Sequence, residues 1–170
     1  MPIQVRFISD LHFQHKNMST HRGFQNELEW DEHLIKQWNS VIKSPKDLTY
    51  ILGDITMEKS QGYFQLDRLM GRKIVVLGNH DMKQHVQELL KYVESVAGMI
   101  DYKGFTLTHC PIHPVELERY RGNIHGHTHE SVYEDKRYIN VCAEVIDCKP
   151  RTIEELIIMN NLCLPKKSLN

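Results

Sequence analysis

The sequence predicts an α/β domain of layered β-sheets with helices outside, and three observations predict it. The first half alternates apolar β-prone runs with helical periodicity in the order βαβαβα. The second half is richer in short β-prone runs. The polar residues suited to chemistry stand just past the ends of the expected strands, where ligands gather in such folds. The length of 170 residues suits a single domain, expected over 1–163, with 164–170 as a frayed tail.

The elements follow in order. Ile3 to Ser9 is β-prone and runs into Asp10, so it reads as a strand feeding a loop. From Asn26 to Ile42, Leu28, Trp30, Leu34, Ile35, Trp38, Val41 and Ile42 recur at helical spacing. Ser44-Pro45 stops that helix. Trp30 and Trp38 share a face, which assigns them to the core. Leu48 to Leu52 is a buried strand ending at Gly53-Asp54. Tyr63, Leu66, Leu69 and Met70 predict a second helix, closed by Gly71, and Lys73 to Leu77 a third strand. Val86, Leu89, Leu90 and Val93 mark a third helix. Val96 to Tyr102 and Phe105 to Thr108 predict a hairpin around Lys103-Gly104. Val115 to Tyr120 reads as a short helix. Gly122 to His125 and Tyr138 to Cys142 read as strands. Ile153 to Met159 closes the domain as helix or strand.

The net charge of −1 gives no global attraction to duplex nucleic acid or anionic membrane. The start Met1-Pro2-Ile3-Gln4 lacks the order of a secretory signal. No apolar run approaches the ~20 residues of a membrane helix. Cys110, Cys142, Cys148 and Cys163 show no CxxC spacing and read as free thiols of a cytosolic protein. The 11 histidines are the unusual feature, since histidine serves both as metal ligand and as acid–base group.

Five motifs carry the chemistry: Asp10-Leu11-His12, Gly53-Asp54, Gly78-Asn79-His80-Asp81, His109 and Gly126-His127-Thr128-His129. Residues i and i+2 of an extended segment face the same way, so Asp10 and His12 are expected to serve one ion. Carboxylate and imidazole suit borderline ions such as Zn, Mn, Fe or Ni. Asp54 has two oxygens and is able to bridge two cations. His127 and His129 are able to face one cluster while each serves a different ion. Taken singly, Asp10 with His12, Asp54 and His109 read better as a turn, a cap and a half-buried histidine, while His127 and His129 beside Gly126 are a metal signal by themselves. Their conjunction and order point to a site for two metals.

This set resembles the calcineurin-like metallophosphoesterase superfamily, whose pattern contains all five blocks in this order. The segment Phe13-Gln14-His15-Lys16-Asn17 is also similar to that of small phosphoesterases of bacteria and their phages. The resemblance implies a four-layer α-β-β-α sandwich of two mixed sheets flanked by helices. It implies that Asp10, His12 and His129 hold a first divalent metal, that Asn79, His109 and His127 hold a second, and that Asp54 bridges them. Mn²⁺ is the expected metal, with Zn²⁺, Fe²⁺ or Ni²⁺ as alternatives. Two cations ~3.5–4 Å apart clamp a phosphate ester and lower the pKa of a shared water. His80, next to Asn79, is then assigned as general acid, with Asp81 either orienting it or serving as a turn residue.

The expected activity is therefore metal-dependent phosphoester hydrolysis, foremost of phosphodiesters on nucleotide-like or cyclic nucleotide substrates. The expected setting is the cytoplasm of a bacterium or of a phage-infected one. Expected partners are a small phosphate ester, a nucleotide or a short single strand, with no duplex and no membrane. The alternatives are a phosphomonoesterase of small metabolites and a non-catalytic scaffold of the same fold. The Asp-Arg pair that protein serine/threonine phosphatases carry after the second block is missing from Ile55-Thr56-Met57-Glu58-Lys59. The repair nucleases of the superfamily carry large capping domains that 170 residues do not accommodate. Among the remaining histidines, His125 is expected in the core or on a sheet face. His15 and Lys16 are expected either near the substrate phosphate or on a solvated loop. His113 is a candidate cleft residue, and His21, His33 and His85 are expected at the surface or on helices.

Overall fold

The computed structural model describes residues 2–131 and 133–162; the expected tail at 164–170 and Cys163 lie outside the described residues. Two mixed sheets face each other, flanked by helices. The first contains β1 (Val5–Ile8), β2 (Leu48–Ile51), β3 (Arg72–Val76), β4 (Ser95–Ala97) and β9 (Arg151–Thr152), in the order β4-β3-β2-β1-β9. Its pairs are parallel except β1 with β9. The second contains β5 (Ile100–Tyr102), β6 (Phe105–Leu107), β7 (Gly122–His125) and β8 (Tyr138–Asn140) in sequence order, with only β5 and β6 antiparallel.

Burial of apolar faces drives this arrangement. Phe7, Ile8, Ile51, Val75 and Val76 of the first sheet share one core with Phe105, Leu107, Ile124 and Ile139 of the second. Across the gap, the Phe7 ring meets Tyr102 edge-on at 5.3 Å. The sheets also touch through backbone: Ser9 bridges Cys142, with Ser9 N–H donating to Val141 O at 2.8 Å and Ala143 N–H to Ser9 O at 3.0 Å.

The helices are α1 (Lys16–His21), α2 (Glu27–Val41), α3 (Val86–Leu89) and α4 (Ile153–Met159). Helix α2 begins at Asn26, whose side chain accepts the Glu29 N–H at 2.9 Å, a standard N-cap. Its buried face carries Trp30, Leu34 and Trp38 at four-residue spacing. Both indoles donate to backbone carbonyls, Trp30 to Leu11 at 2.8 Å and Trp38 to Met70 at 2.9 Å. Thr152 and Glu155 form a capping box that starts α4, which settles that segment as helix. Among the described residues, no helix is long and apolar enough to cross a membrane.

Several expectations change form. The expected strand from Val96 to Tyr102 is two strands, broken at Gly98-Met99. Its first part pairs with β3 and its second opens the other sheet, so the chain changes sheet there. Tyr63–Arg68 and Pro114–Arg119 are 3-10 helices, and a 3-10 turn at Lys83–His85 precedes the single-turn α3. Spacing of apolar residues over so few positions does not separate i→i+3 from i→i+4 bonding. Helix α1 has no apolar periodicity in its sequence and was absent from the expected elements. The hairpin turn is present, with positive φ at both Lys103 (49°) and Gly104 (82°), the requirement of a type I′ turn.

Asp31 also lies on the buried face of α2, with 0 % exposure. Its oxygens accept the Gln14 N–H at 3.1 Å and the Gln65 side-chain amide at 2.9 Å. Burial pushes its carboxyl up to about 6, and those two bonds limit the rise. Folding thus favours the protonated form. The resulting stabilisation is complete below the unfolded value of ~4 and is lost as pH rises through about 6. Asp31→Asn should flatten this dependence. Urea denaturation of metal-free protein between pH 4 and 7 should show a smaller loss of stability in the variant than in the parent. Equal losses would show that Asp31 is not the group responsible.

Candidate metal centre

The five motif loops meet at one end of the two sheets. Asp10 and His12 follow β1, Asp54 follows β2, and Asn79 and His80 follow β3. His109 follows β6, and His127 and His129 follow β7. Asp10, His12, Asp54, His127 and His129 all have left-handed backbone, with φ of 57°, 46°, 53°, 67° and 48°. Non-glycine residues hold such angles at a cost of about 1–3 kcal/mol each and cluster at functional sites. Asp10 and His12 therefore converge through tight turns, and the extended i, i+2 geometry expected from sequence is corrected. Leu11 between them is fully buried.

Backbone pairing sets the loops against one another. Asp10 N–H donates to Gly53 O at 3.0 Å, His12 N–H to Asp54 O at 3.0 Å, and Phe13 N–H to Ile55 O at 2.8 Å. The Asp81 carboxylate ties the second loop to the third. It accepts the N–H groups of Asp54 at 2.9 Å, Ile55 at 3.1 Å and Gly78 at 2.8 Å. Burial and the charge of Asp54 push the Asp81 carboxyl upward against these three bonds. The expectation that Asp81 orients His80 is thereby corrected: both its oxygens are turned to backbone, away from the imidazole. The group beside the imidazole is Glu58, whose Oε1 lies 3.4 Å from His80 Nδ1.

The loops approach so closely that Gly78 has no room for a side chain. A Cβ there would overlap Asp54 Oδ1 and come within 2.6 Å of the Asp54 backbone N. A Cβ on Gly126 would overlap Ser9 Oγ and Asp10 Oδ2.

The two buried carboxylates divide their oxygens. Asp10 Oδ2 accepts from the Ser9 hydroxyl at 2.6 Å, the His127 N–H at 2.9 Å and the Cys142 thiol at 3.2 Å. Asp10 Oδ1 is buried with no hydrogen-bond partner among the described residues, 3.6 Å from His12 Nε2 and 3.9 Å from His129 Nε2. His12 Nε2 is likewise buried and unpartnered. Burial raises the Asp10 pKa, but the His12 side chain, the Ser9 hydroxyl and the His109 charge outweigh it and hold the carboxyl well below the usual range. Asp54 Oδ1 accepts the His80 N–H at 2.9 Å. Its Oδ2 faces His109 Nε2 at 3.4 Å, His12 Nε2 at 3.9 Å and His80 Nε2 at 4.0 Å. Burial raises the Asp54 pKa too, and the bond and charge of His109 reverse the shift.

His109 Nδ1 lies 2.7 Å from Leu52 O, which fixes the Nδ1–H tautomer of a neutral ring. Nε2 then presents a lone pair 2.8 Å from Asn79 Oδ1, another acceptor. A shared cation, a proton on Nε2, or rotation of the Asn79 amide to present its NH2 reconciles the two. The His127 ring stands 5.1 Å from that of His109. Buried unpartnered oxygen and nitrogen atoms facing one another among the described residues fit divalent cations. Asp10, His12 and Asp54 place ligand atoms within 4.8 Å of one another, as do His109, Cys110 and His127.

Two residues of this network were missed in the sequence. Glu144, in the 3-10 turn Ala143–Ile146, accepts from His129 Nδ1 at 2.6 Å. Arg22 bonds Glu144 at 2.7 Å and the Asp10 carbonyl at 2.8 Å, with its guanidinium 4.3 Å from the Trp30 ring centre. Neither has a motif to mark it; a single acidic residue among the apolar Ala143, Val145 and Ile146 was the available signal. The remaining histidines separate. His15 stands 5.8 Å from the His12 ring, while Lys16 is exposed on α1. His113 caps the Pro114–Arg119 turn by accepting the Val115 N–H at 3.3 Å. His125 is fully buried. His21 and His33 line a separate cavity beside Trp30.

The model of the calcineurin-like phosphoesterase family matches residues 3–110. An uncharacterized protein of Methanocaldococcus jannaschii is 32% identical over 168 residues, covering 91% of this chain and 89% of its own length. The Gene 66 protein of Mycobacterium phage D29 is 30% identical over 162 residues, covering 75% of this chain and 79% of its own. The crystal structure of a protein of unknown function from Aquifex aeolicus superposes with a TM-score of 0.73 at 28% identity, over 93% of this chain and 100% of that one. A structure described as a novel archaeal phosphodiesterase shares the fold, with a TM-score of 0.52 at 19% identity over 82% of each chain.

The packing at Gly78 makes a prediction independent of any ligand. Gly78→Ala forces the Asp54 backbone away and should destabilise the metal-free protein by roughly 1–3 kcal/mol, the usual cost of overpacking. Chemical denaturation measures this, and an unchanged midpoint would contradict the close approach.

Proposed function

The chain belongs to the calcineurin-like phosphoesterase family, and from that premise we propose that it is a binuclear metal-dependent phosphodiesterase acting on small nucleotide-like or cyclic nucleotide esters. One observation carries the binuclear reading: Asp54 Oδ2 lies within reach of both His12 Nε2, at 3.9 Å, and His109 Nε2, at 3.4 Å, one from each proposed ligand group. Asp10, His12 and His129 would hold one divalent cation; Asn79, His109 and His127 would hold the other, with Asp54 shared. The donor set suits borderline divalent ions; we take Mn²⁺ as the first ion to test, with Zn²⁺, Fe²⁺ and Ni²⁺ as alternatives. When bound, such a pair supplies Lewis acidity to the phosphoryl oxygens and an activated water.

The chain's own residues supply the rest. The two carboxylates set against four imidazoles and an amide leave the loaded cluster positive, which draws in a phosphate ester. His80 borders the cluster without belonging to either donor group. Its Nε2 lies 4.0 Å from Asp54 Oδ2, and its Nδ1 faces Glu58. From there it donates a proton to the leaving oxygen. The net charge of −1 favours a small ester over a duplex. The free thiols Cys110, Cys142 and Cys148 support a cytoplasmic setting.

The direct test is turnover of bis-p-nitrophenyl phosphate beside p-nitrophenyl phosphate, with Mn²⁺ and with chelator. Chelator-sensitive preference for the diester is the expected result; preference for the monoester would make the protein a phosphomonoesterase. His80→Ala should retain both metals and lose about 10²–10⁴-fold in rate on esters with poor leaving groups. The loss should be smaller on p-nitrophenyl esters, whose leaving group needs no proton. Asp54→Asn should lower metal content as well as rate; a variant that kept two ions per chain would refute the bridge.

A further inference from the structure

A cavity of about 180 Å³ opens directly beside the metal centre. Its walls are continuations of two ligand-bearing loops. One wall, with Gln14 and His15, follows His12; the other, with Met57, Lys59 and Gln61, follows Asp54. The His15 ring centre is 5.8 Å from that of His12. A group in this cavity is therefore a neighbour of whatever the cluster holds. Both walls are fixed by left-handed non-glycine turns, at Gln14 (φ 56°) and Glu58 (φ 56°).

The lining has a definite chemistry. Lys59 is a cation with three donors, and Gln14 and Gln61 offer amide donors. His15 Nδ1 is buried without a partner among the described residues, so part of that ring's bonding capacity is unused. No carboxylate lines the cavity. The acidic residue of the loop, Glu58, is directed instead at His80 Nδ1, 3.4 Å away. A donor-rich cavity with one ammonium and no opposing acid suits an anionic, oxygen-rich group.

We propose that this cavity is a second anion subsite, in which Lys59, supported by His15, binds a further phosphate or carboxylate carried by the substrate next to the scissile phosphate. The inference rests on the phosphoesterase reading and narrows the substrate to esters with two neighbouring anionic groups.

The test is competition against p-nitrophenyl ester turnover, with saturating Mn²⁺, by methylphosphonate and by methylenediphosphonate. The wild type should bind the diphosphonate more tightly by roughly 10–100-fold, as expected for an added hydrogen bond to a charged group. Lys59→Ala should abolish that advantage while leaving methylphosphonate inhibition and metal content unchanged, and Lys59→Arg should restore much of it. Metal stripping by the diphosphonate would act on parent and variant alike, so the comparison between them separates the two effects. Equal competition by both compounds in the wild type, or an advantage that survives Lys59→Ala, would overturn the subsite while leaving the phosphoesterase reading in place. If no ester is turned over, that reading fails. Calorimetric titration of the same two compounds into the Mn²⁺-loaded proteins then decides the subsite by the same comparison.

Discussion

Two carboxylates held out of water, each with one oxygen given to protein donors and the other turned toward imidazoles, set the terms for the rest of this structure. Burying an isolated carboxylate costs several kcal/mol even after relaxation. Asp10 offsets that cost through three donors on Oδ2, and Asp54 through a backbone N–H on Oδ1. The remaining oxygens converge with the histidines. This arrangement requires the backbone donors of His80 and His127 to arrive within 3 Å of the carboxylates. The loops carrying them then have no room for a β-carbon at Gly78 or Gly126. The left-handed turns at five of the site residues belong to the same demand. They lift side chains off strand ends within two to four residues, and the surrounding hydrogen bonds hold the strain in place.

The two sheets share the work unequally. Of the proposed ligands, loops of the first sheet bring both carboxylates, Asn79 and His12, while loops of the second bring the imidazoles of His109, His127 and His129. A site assembled from two sheets is only as precise as the joint between them. The joint here is local: the Ser9–Cys142 bridge and its backbone bonds lie next to Asp10 itself. Cys142 then contributes its thiol to Asp10 Oδ2, and burial, reinforced by Asp10 and Glu144, pushes that thiol far up, so it acts as a donor.

The site was legible in sequence wherever a functional residue terminates an apolar strand run. Asp54, Asn79 and His109 each follow such a run, and position along the strand fixes where the side chain emerges. Other features arise from pairings that are distant in sequence. Glu144 reaches His129, Arg22 reaches both Glu144 and Asp10, and Glu58 reaches His80, none with a spacing that periodicity could detect. Asp81 shows a different limit. Its place beside His80 suggested service to that ring, yet a carboxylate surrounded by three free N–H groups satisfies those first. The split between β4 and β5 had a local cue in Gly98, but one apolar run on each side of a glycine does not state that the two belong to different sheets.

The route by which His129 is positioned shows why the helical layer matters to a site built on strand ends. Helix α2 buries Trp30, whose indole is fixed by its bond to Leu11 O, one residue from Asp10. Arg22 lies over that indole, and its guanidinium reaches the Asp10 carbonyl and Glu144 together. Glu144 in turn takes the Nδ1–H of His129, which directs Nε2 toward Asp10 Oδ1. Partners of this kind set the tautomer and orientation of a ligating imidazole and raise its basicity. The chain from core tryptophan to imidazole passes only through packed or hydrogen-bonded groups. His129 is one of the more exposed of the proposed ligands, with about a third of its side chain accessible, and so depends most on that outside support. His12, buried and flanked by backbone bonds, needs none of it. The two imidazoles assigned to the same ion are therefore held by different physics, one by enclosure and the other by a charged relay anchored in the hydrophobic core.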